Sequence, residues 1–142
     1  MERRQMKIIN LIAMLCFLLQ ACGDKEPTKD DVVGTWKNPD GAEFVFNKDG
    51  TFRAQQIPTG LGYMASDSLQ NRKFDGSGKW EFKKENSYWE AYVDFEKANV
   101  NKTCTFPLLI AGENGVLETK PPWYLFVWKG EEGGERYKFS KQ

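Results

Sequence analysis

From Val32 onward, apolar and polar residues alternate with a period of two, the spacing of a strand that buries one face, and helical spacing is nowhere sustained. In "GAEFVFN", Phe44 and Phe46 share one face while Glu43 and Val45 take the other. "NKDG" follows, and "TFRAQ" then sets Phe52 and Ala54 together, so the stretch predicts a β-hairpin turning at Asp49-Gly50. "GSGKWEFKKENS" repeats the scheme with Trp80 and Phe82 against Lys79, Glu81 and Lys83. In "YWEAYVDFEK", Trp89, Ala91, Val93 and Phe95 alternate with Glu90, Tyr92, Asp94 and Glu96. "VGTWK", "TCTFPLLIAG", "PWYLFVWKG" and "ERYKFSK" bring the expectation to about eight strands, most joined by short turns.

Consecutive antiparallel strands must dispose of their edges, and closing on themselves does so. The fold class expected is therefore all-β: a single small antiparallel up-and-down β-barrel. Pro107 lies inside a strand-like run, and proline belongs at edges or bulges, so either the barrel bulges there or it is not fully closed, and the bulge is the preferred expectation. Residues 57–76, "IPTGLGYMASDSLQNRKFDG", follow no period and read as an excursion with one helical turn near Met64 to Leu69. Long loops of this kind are lids, binding loops or plain insertions.

The 142 residues suit one domain, but the first 21 stand apart from it. Arg3, Arg4 and Lys7 make a basic start, and "IINLIAMLCFLL" is an apolar run too short to span a bilayer, which takes about 20 residues. That arrangement describes a secretory signal. "LLQACG" resembles the bacterial lipobox, with Leu19, Ala21 and Cys22 in its key positions. The resemblance implies a signal peptide over 1–21, cleavage before Cys22, and lipidation of Cys22 with further acylation of its new amino group. Residues 22–31, with "GDKEPTKDD" after the cysteine, read as a flexible tether that could hold a domain over 32–142 at most roughly 30 Å from the bilayer. Cys104 is then the single free thiol, so no internal disulfide can form and a packed core must carry stability.

Charge and composition remove several functions. Residues 1–21 hold three basic and one acidic side chain of the chain's 20 and 20, which leaves 17 basic and 19 acidic, net −2. Nucleic-acid binding needs a basic face, and none is present in the sequence. There is no histidine, which excludes His-based triads and His-ligated zinc. Cys104, alternating with Phe106 in "KTCTF", reads as apolar filler and not as a nucleophile. The expectation is a non-enzyme without cofactor or metal, acting as a monomer.

Binding is what remains. Trp36, Phe44, Phe46, Phe52, Trp80, Phe82, Trp89, Phe95 and Phe106 are all expected to point inward. A barrel of about eight strands has an interior that side chains can just fill or that can hold one small ligand. A ligand site, if the interior is open, would use Trp80, Trp89, Phe95 and Phe106 for a small apolar or aromatic molecule. The alternative is a solid core with an interaction surface for an envelope protein. "PPWYLFVWKG" is apolar on both faces, so Tyr124, Phe126 and Trp128 are either covered by the 57–76 excursion or exposed as a patch.

The first strand's Gly34-Thr35-Trp36 resembles the Gly-x-Trp of the calycin group, the lipocalins, fatty-acid-binding proteins and avidins. That resemblance implies a lipocalin-like barrel whose Trp36 closes one end, with Arg136 of "GERYKF" stacked over it at about 0.5–2 kcal/mol. The opening hairpin is also similar to avidin, where Asn38 would hold biotin's ureido oxygen; Ala42 stands where that family places Ser. The "GTW…DGA…DGTF" start, the "GSGKW" centre and the "YLFVWKGEEGGERYKF" ending resemble small bacterial lipoproteins. Those imply a lipid-anchored place in the cell envelope. Gly23 after the cysteine points to the outer membrane, facing the periplasm, in a Gram-negative cell.

Overall fold

The alternation becomes eight strands in a computed structural model that describes residues 25–61, 72–99, 104–129 and 134–142. They are β1 (Gly34–Lys37), β2 (Glu43–Phe46), β3 (Thr51–Pro58), β4 (Lys73–Glu85), β5 (Tyr88–Ala98), β6 (Thr105–Asn114), β7 (Lys120–Lys129) and β8 (Glu135–Lys141). Each pairs antiparallel with its sequence neighbours, and β1 closes on β8 through Trp36↔Lys141 and Lys37↔Ser140. The result is a closed up-and-down barrel compatible with the lipocalin-like fold. The turn at Asp49-Gly50 forms as its chemistry dictates. Gly50 has φ 85°, and Asp49 Oδ1 accepts the Thr51 N–H at 2.9 Å.

Two local expectations change. Pro107 makes no bulge: it pairs in register with Tyr92, between Leu108↔Ala91 and Phe106↔Val93. The β6–β7 ladder begins only at Leu109↔Phe126, so Pro107 lies where β6 lacks a partner on one side, and its missing N–H breaks nothing. The irregularities fall instead at Ala54/Ile57, Ser77/Gly78 and Gly112/Asn114. At Gly78 a side chain would begin 1.8 Å from the Asp94 carbonyl oxygen, so only glycine lets β4 and β5 approach there. The excursion is shorter than 57–76, because Ile57–Pro58 and Lys73–Phe74 extend β3 and β4 as a pair. The helical turn expected at Met64 to Leu69 lies outside the described residues, as does Cys22.

The folded domain also begins earlier than Val32. Lys29–Val32 forms a short helical turn, α1, capped by Thr28, whose hydroxyl accepts from the Asp31 N–H while Asp31 Oδ2 accepts from the Thr28 N–H at 2.8 Å. The turn is pinned to the barrel by Trp36 Nε1 donating to Val32 O at 2.7 Å and Lys141 Nζ donating to Asp31 O at 2.6 Å. The last residues assigned to the tether are thus part of the fold.

Inside, phenylalanines occupy the middle of the barrel. Phe44 sits among the rings of Phe46, Phe52, Phe95, Phe106 and Phe139 at centroid distances of 5.3–6.4 Å, drawing on β2, β3, β5, β6 and β8. Most of these pairs meet at steep angles, the arrangement aromatic quadrupoles favour.

Candidate functional site

Of the four residues expected to line a ligand site, two belong to this central packing. Phe95 and Phe106 are each 1 % exposed and lie ring to ring at 6.0 Å. Trp80 is also committed: its Nε1 donates to Asn47 O at 3.0 Å, its ring meets Phe46 at 5.1 Å, and the Lys29 ammonium sits 5.3 Å above it.

Trp89 is different. It lies flat against Phe82 at 4.7 Å and 6°, with the Lys84 ammonium 5.2 Å from its ring, and its buried Nε1 makes no hydrogen bond. Trp123 Nε1 is buried and unpaired as well. Both indoles pack against the core from inside, on the two strands flanking β6, Trp89 paired with Ile110 and Trp123 with Gly112. Up-and-down topology places them at the end that also holds the start of β1, the β2–β3, β4–β5 and β6–β7 turns, and the end of β8.

The chain entering the domain crosses this indole end. From Val32 beside Trp36 it passes Lys29 over Trp80 and reaches the β4–β5 hairpin, where Glu26 pairs with Lys84 at 2.8 Å. Its hydrogen bond to Lys84 holds the Glu26 carboxyl below the usual range, and Trp89 adds a smaller pull from outside hydrogen-bond geometry. The strap thus ties Glu26 to the lysine whose ammonium lies over the Trp89 ring. Among the described residues one other buried side-chain polar atom is unpaired, Tyr137 Oη near Asp40 at the opposite end, where burial first and Asp40 second push the phenol up to about 12.

The expected stacking of Arg136 over Trp36 does not form. Alternation in β8 sends Tyr137 and Phe139 inward, so Arg136 must point out. The cation over Trp36 is Lys141, 5.5 Å from the ring and its strand partner. Arg136 instead lies over Phe126 at 4.6 Å and Trp128 at 5.0 Å on the outer wall, bonded to Tyr124 Oη and Glu118. With Lys138 over Tyr124, Tyr88 against Phe126, and Ala111 and Leu109 beneath, this makes a second small core. Tyr124 and Phe126 are buried within it, while Trp128 stays partly exposed, at 36 %, as does Tyr88 at its margin.

Little else carries chemistry. Asn38 spends both ends of its amide within the fold, donating to Lys138 O of β8 and accepting from the Asp40 N–H of its own turn, each at 2.7 Å. Among the described residues no three His, Cys, Asp or Glu are grouped to hold a metal, and no helix is long and apolar enough to cross a membrane. Burial, with the Asp94 carboxylate second, pushes the Cys104 thiol up to about 11, so at neutral pH it is protonated filler. Because the folded state holds this proton more tightly than the unfolded chain, Cys104 contributes stability that is full below about pH 9 and is lost as pH rises through about 11. Melting the wild type and Cys104→Ala from pH 8 to 11.5 should show a steeper alkaline loss in the wild type. The difference should be about 1–2 kcal/mol, discounted for solvent at a strand end. Parallel curves would refute the assignment.

Sequence reasoning placed Trp89 and Phe82 inside but missed Trp123, Lys84 and Glu26 as members of one site. Trp123 was legible from its alternation with Leu125 and Val127. Glu26 carried no signal, since nothing local marks a charged residue of a linker as the partner of a distant lysine.

The fold and this end define a small closed antiparallel barrel with two buried, unpaired indole N–H groups at the end that the entering chain crosses. No family model, curated protein or solved structure matches this chain.

Proposed function

We propose that the chain is a lipid-anchored lipoprotein of the cell envelope, exported by residues 1–21 and anchored through Cys22, whose barrel is a non-catalytic binding module. The ligand class is a small, flat apolar or aromatic molecule bearing a hydrogen-bond acceptor, taken at the indole end. The observation that carries this is the pair of buried, unpaired indole N–H groups of Trp89 and Trp123 at one end of a barrel whose middle is filled. A buried donor left unmade costs about 1–3 kcal/mol, which a ligand's acceptor would recover. The Phe82–Trp89 stack offers such a molecule a flat wall. The rival, a partner surface at Tyr124, Phe126 and Trp128, finds less support, because Arg136 and its neighbours cover most of that patch.

Purified from its native membranes in mild detergent, the protein is expected to carry an added mass in native spectra that is lost on denaturation. Trp123→Phe, which keeps a ring and removes the N–H, should lower its occupancy. A bare mass from native membranes would sink the ligand reading. The anchor is tested separately: Cys22→Ser should move the protein from the membrane pellet to the soluble fraction, and persistence in the pellet would count against lipidation.

A further inference from the structure

Val116 and Leu117 stand at the tip of the β6–β7 hairpin, 102 % and 81 % exposed, where turn chemistry favours Gly, Asn, Asp or Ser. Polar residues flank them on both sides in "ENGVLET", and Gly115 at φ 90° and Glu118 at φ 55° take the turn's left-handed positions, so neither aliphatic is needed to form the turn. No packing within the domain accounts for side chains so fully exposed. They are also not scattered. The large apolar residues exposed among the described residues are Tyr88, Val116, Leu117 and Trp128. Tyr88 opens β5, so three of the four lie at the indole end and only Trp128 lies elsewhere.

That end is the one the entering chain crosses. Glu26 is fixed to Lys84 beside the β4–β5 hairpin, and β6–β7 is the next hairpin around the rim. Cys22 precedes Lys25 by three residues, a reach of at most about 10 Å of extended chain. An acyl chain on Cys22 therefore brings the bilayer within reach of this rim.

We infer that the barrel docks end-on to the lipid surface, with Val116 and Leu117 inserted among the acyl chains and Tyr88 at headgroup level. This rests on the proposed lipidation of Cys22. Aliphatic side chains gain from leaving water, and a tyrosine suits the interface because its ring is apolar and its hydroxyl wet. The rim carries both signs, Lys25, Lys29, Lys48 and Lys84 beside Glu26, Asp30, Asp49 and Glu85, so the docking is apolar and not electrostatic. It also turns the indole end toward the bilayer, the source from which an apolar ligand would enter.

The test uses the acylated mature protein, beginning at Cys22, in phosphatidylcholine vesicles containing lipid brominated near the headgroup end of its chains. Single cysteines at the tip (Leu117→Cys) and at the opposite end (Pro39→Cys) are labelled with an apolar fluorophore; buried Cys104, a protonated thiol, stays unlabelled. The tip probe should be quenched several-fold more than the Pro39 probe, equally at low and high salt. Adding Val116→Asp should abolish the difference without lowering the melting temperature. Equal, weak quenching at both sites in protein whose mass shows the acyl chains overturns end-on docking alone. So does quenching that requires anionic lipid or disappears in high salt, and so does a tip shielded only when other envelope proteins are present. A chain without diacylglycerol mass overturns the anchor reading, and end-on docking with it.

Discussion

Phe44→Ala is expected to lower the unfolding free energy by about 3–5 kcal/mol, the range for removing a large ring from a core that cannot close over the gap. For a domain of this size that is roughly 10–25 °C in Tm. The figure sits high because of where the ring lies. Phe44 is fully buried, and its neighbours come from β2, β3, β5, β6 and β8, strands spread around the barrel wall. Collapsing the hole would require moving strands held in a closed hydrogen-bonded cylinder, so relaxation is limited and most of the cavity cost persists. Trp128→Ala is the matched control, a large ring on the wall that is one-third exposed, and should cost about 1 kcal/mol or less. Chemical denaturation of both would decide. A loss below about 1.5 kcal/mol for Phe44→Ala would mean the core is not organised around that ring. Since the ring contacts of Phe44 run to Phe46, Phe52, Phe95, Phe106 and Phe139 and not to Trp89 or Trp123, the variant that remains folded should keep its ligand occupancy, which separates a filled centre from a binding end.

Much of the fold was legible because one physical rule, alternation, was obeyed almost everywhere. It gave Phe44, Phe46, Phe52, Trp80, Trp89, Phe95 and Phe106 their inward direction. It failed where a bulge breaks the count. Phe52 and Ala54 point in, then Gln56 at φ 55° shifts the phase so that Ile57 points in, and the strand no longer looks like one. The Gln56 N–H is then satisfied by Asp75 Oδ1, nineteen positions away in the chain, which no local pattern could announce. Arg136 was misplaced for the opposite reason. There the lipocalin resemblance and the alternation disagree, and alternation in "ERYKF" requires an outward arginine. The site was the least legible part, because its donors are orphans and its strap is a linker; an unmade hydrogen bond leaves no mark in a sequence.

Trp36→Ala should cost about 3–5 kcal/mol, and its coupling pattern separates the two closures the chain could have used. The ring is 1 % exposed, its N–H holds the Val32 carbonyl at 2.7 Å, and Lys141 covers it, so truncation empties the barrel end, orphans a carbonyl and frees α1. Trp36→Phe restores most of the packing and isolates the hydrogen bond, with an expected loss of about 1–2 kcal/mol. Hydrogen exchange at residues 28–33 should rise in both variants, since the Trp36 N–H is one of the two bonds pinning that turn to the barrel. Arg136→Ala should cost about 1–2 kcal/mol by a separate route, uncovering Phe126 and stranding Tyr124 and Glu118 on the outer wall. Because Arg136 and Trp36 share no partner, their double mutant should be additive within about 0.5 kcal/mol. Lys141→Ala and Trp36→Ala should couple by about 0.5–1 kcal/mol, the value of a partly exposed cation over an indole. Coupling of Trp36 to Arg136 but not to Lys141 would restore the lipocalin arrangement and reverse the assignment of which cation seals the barrel.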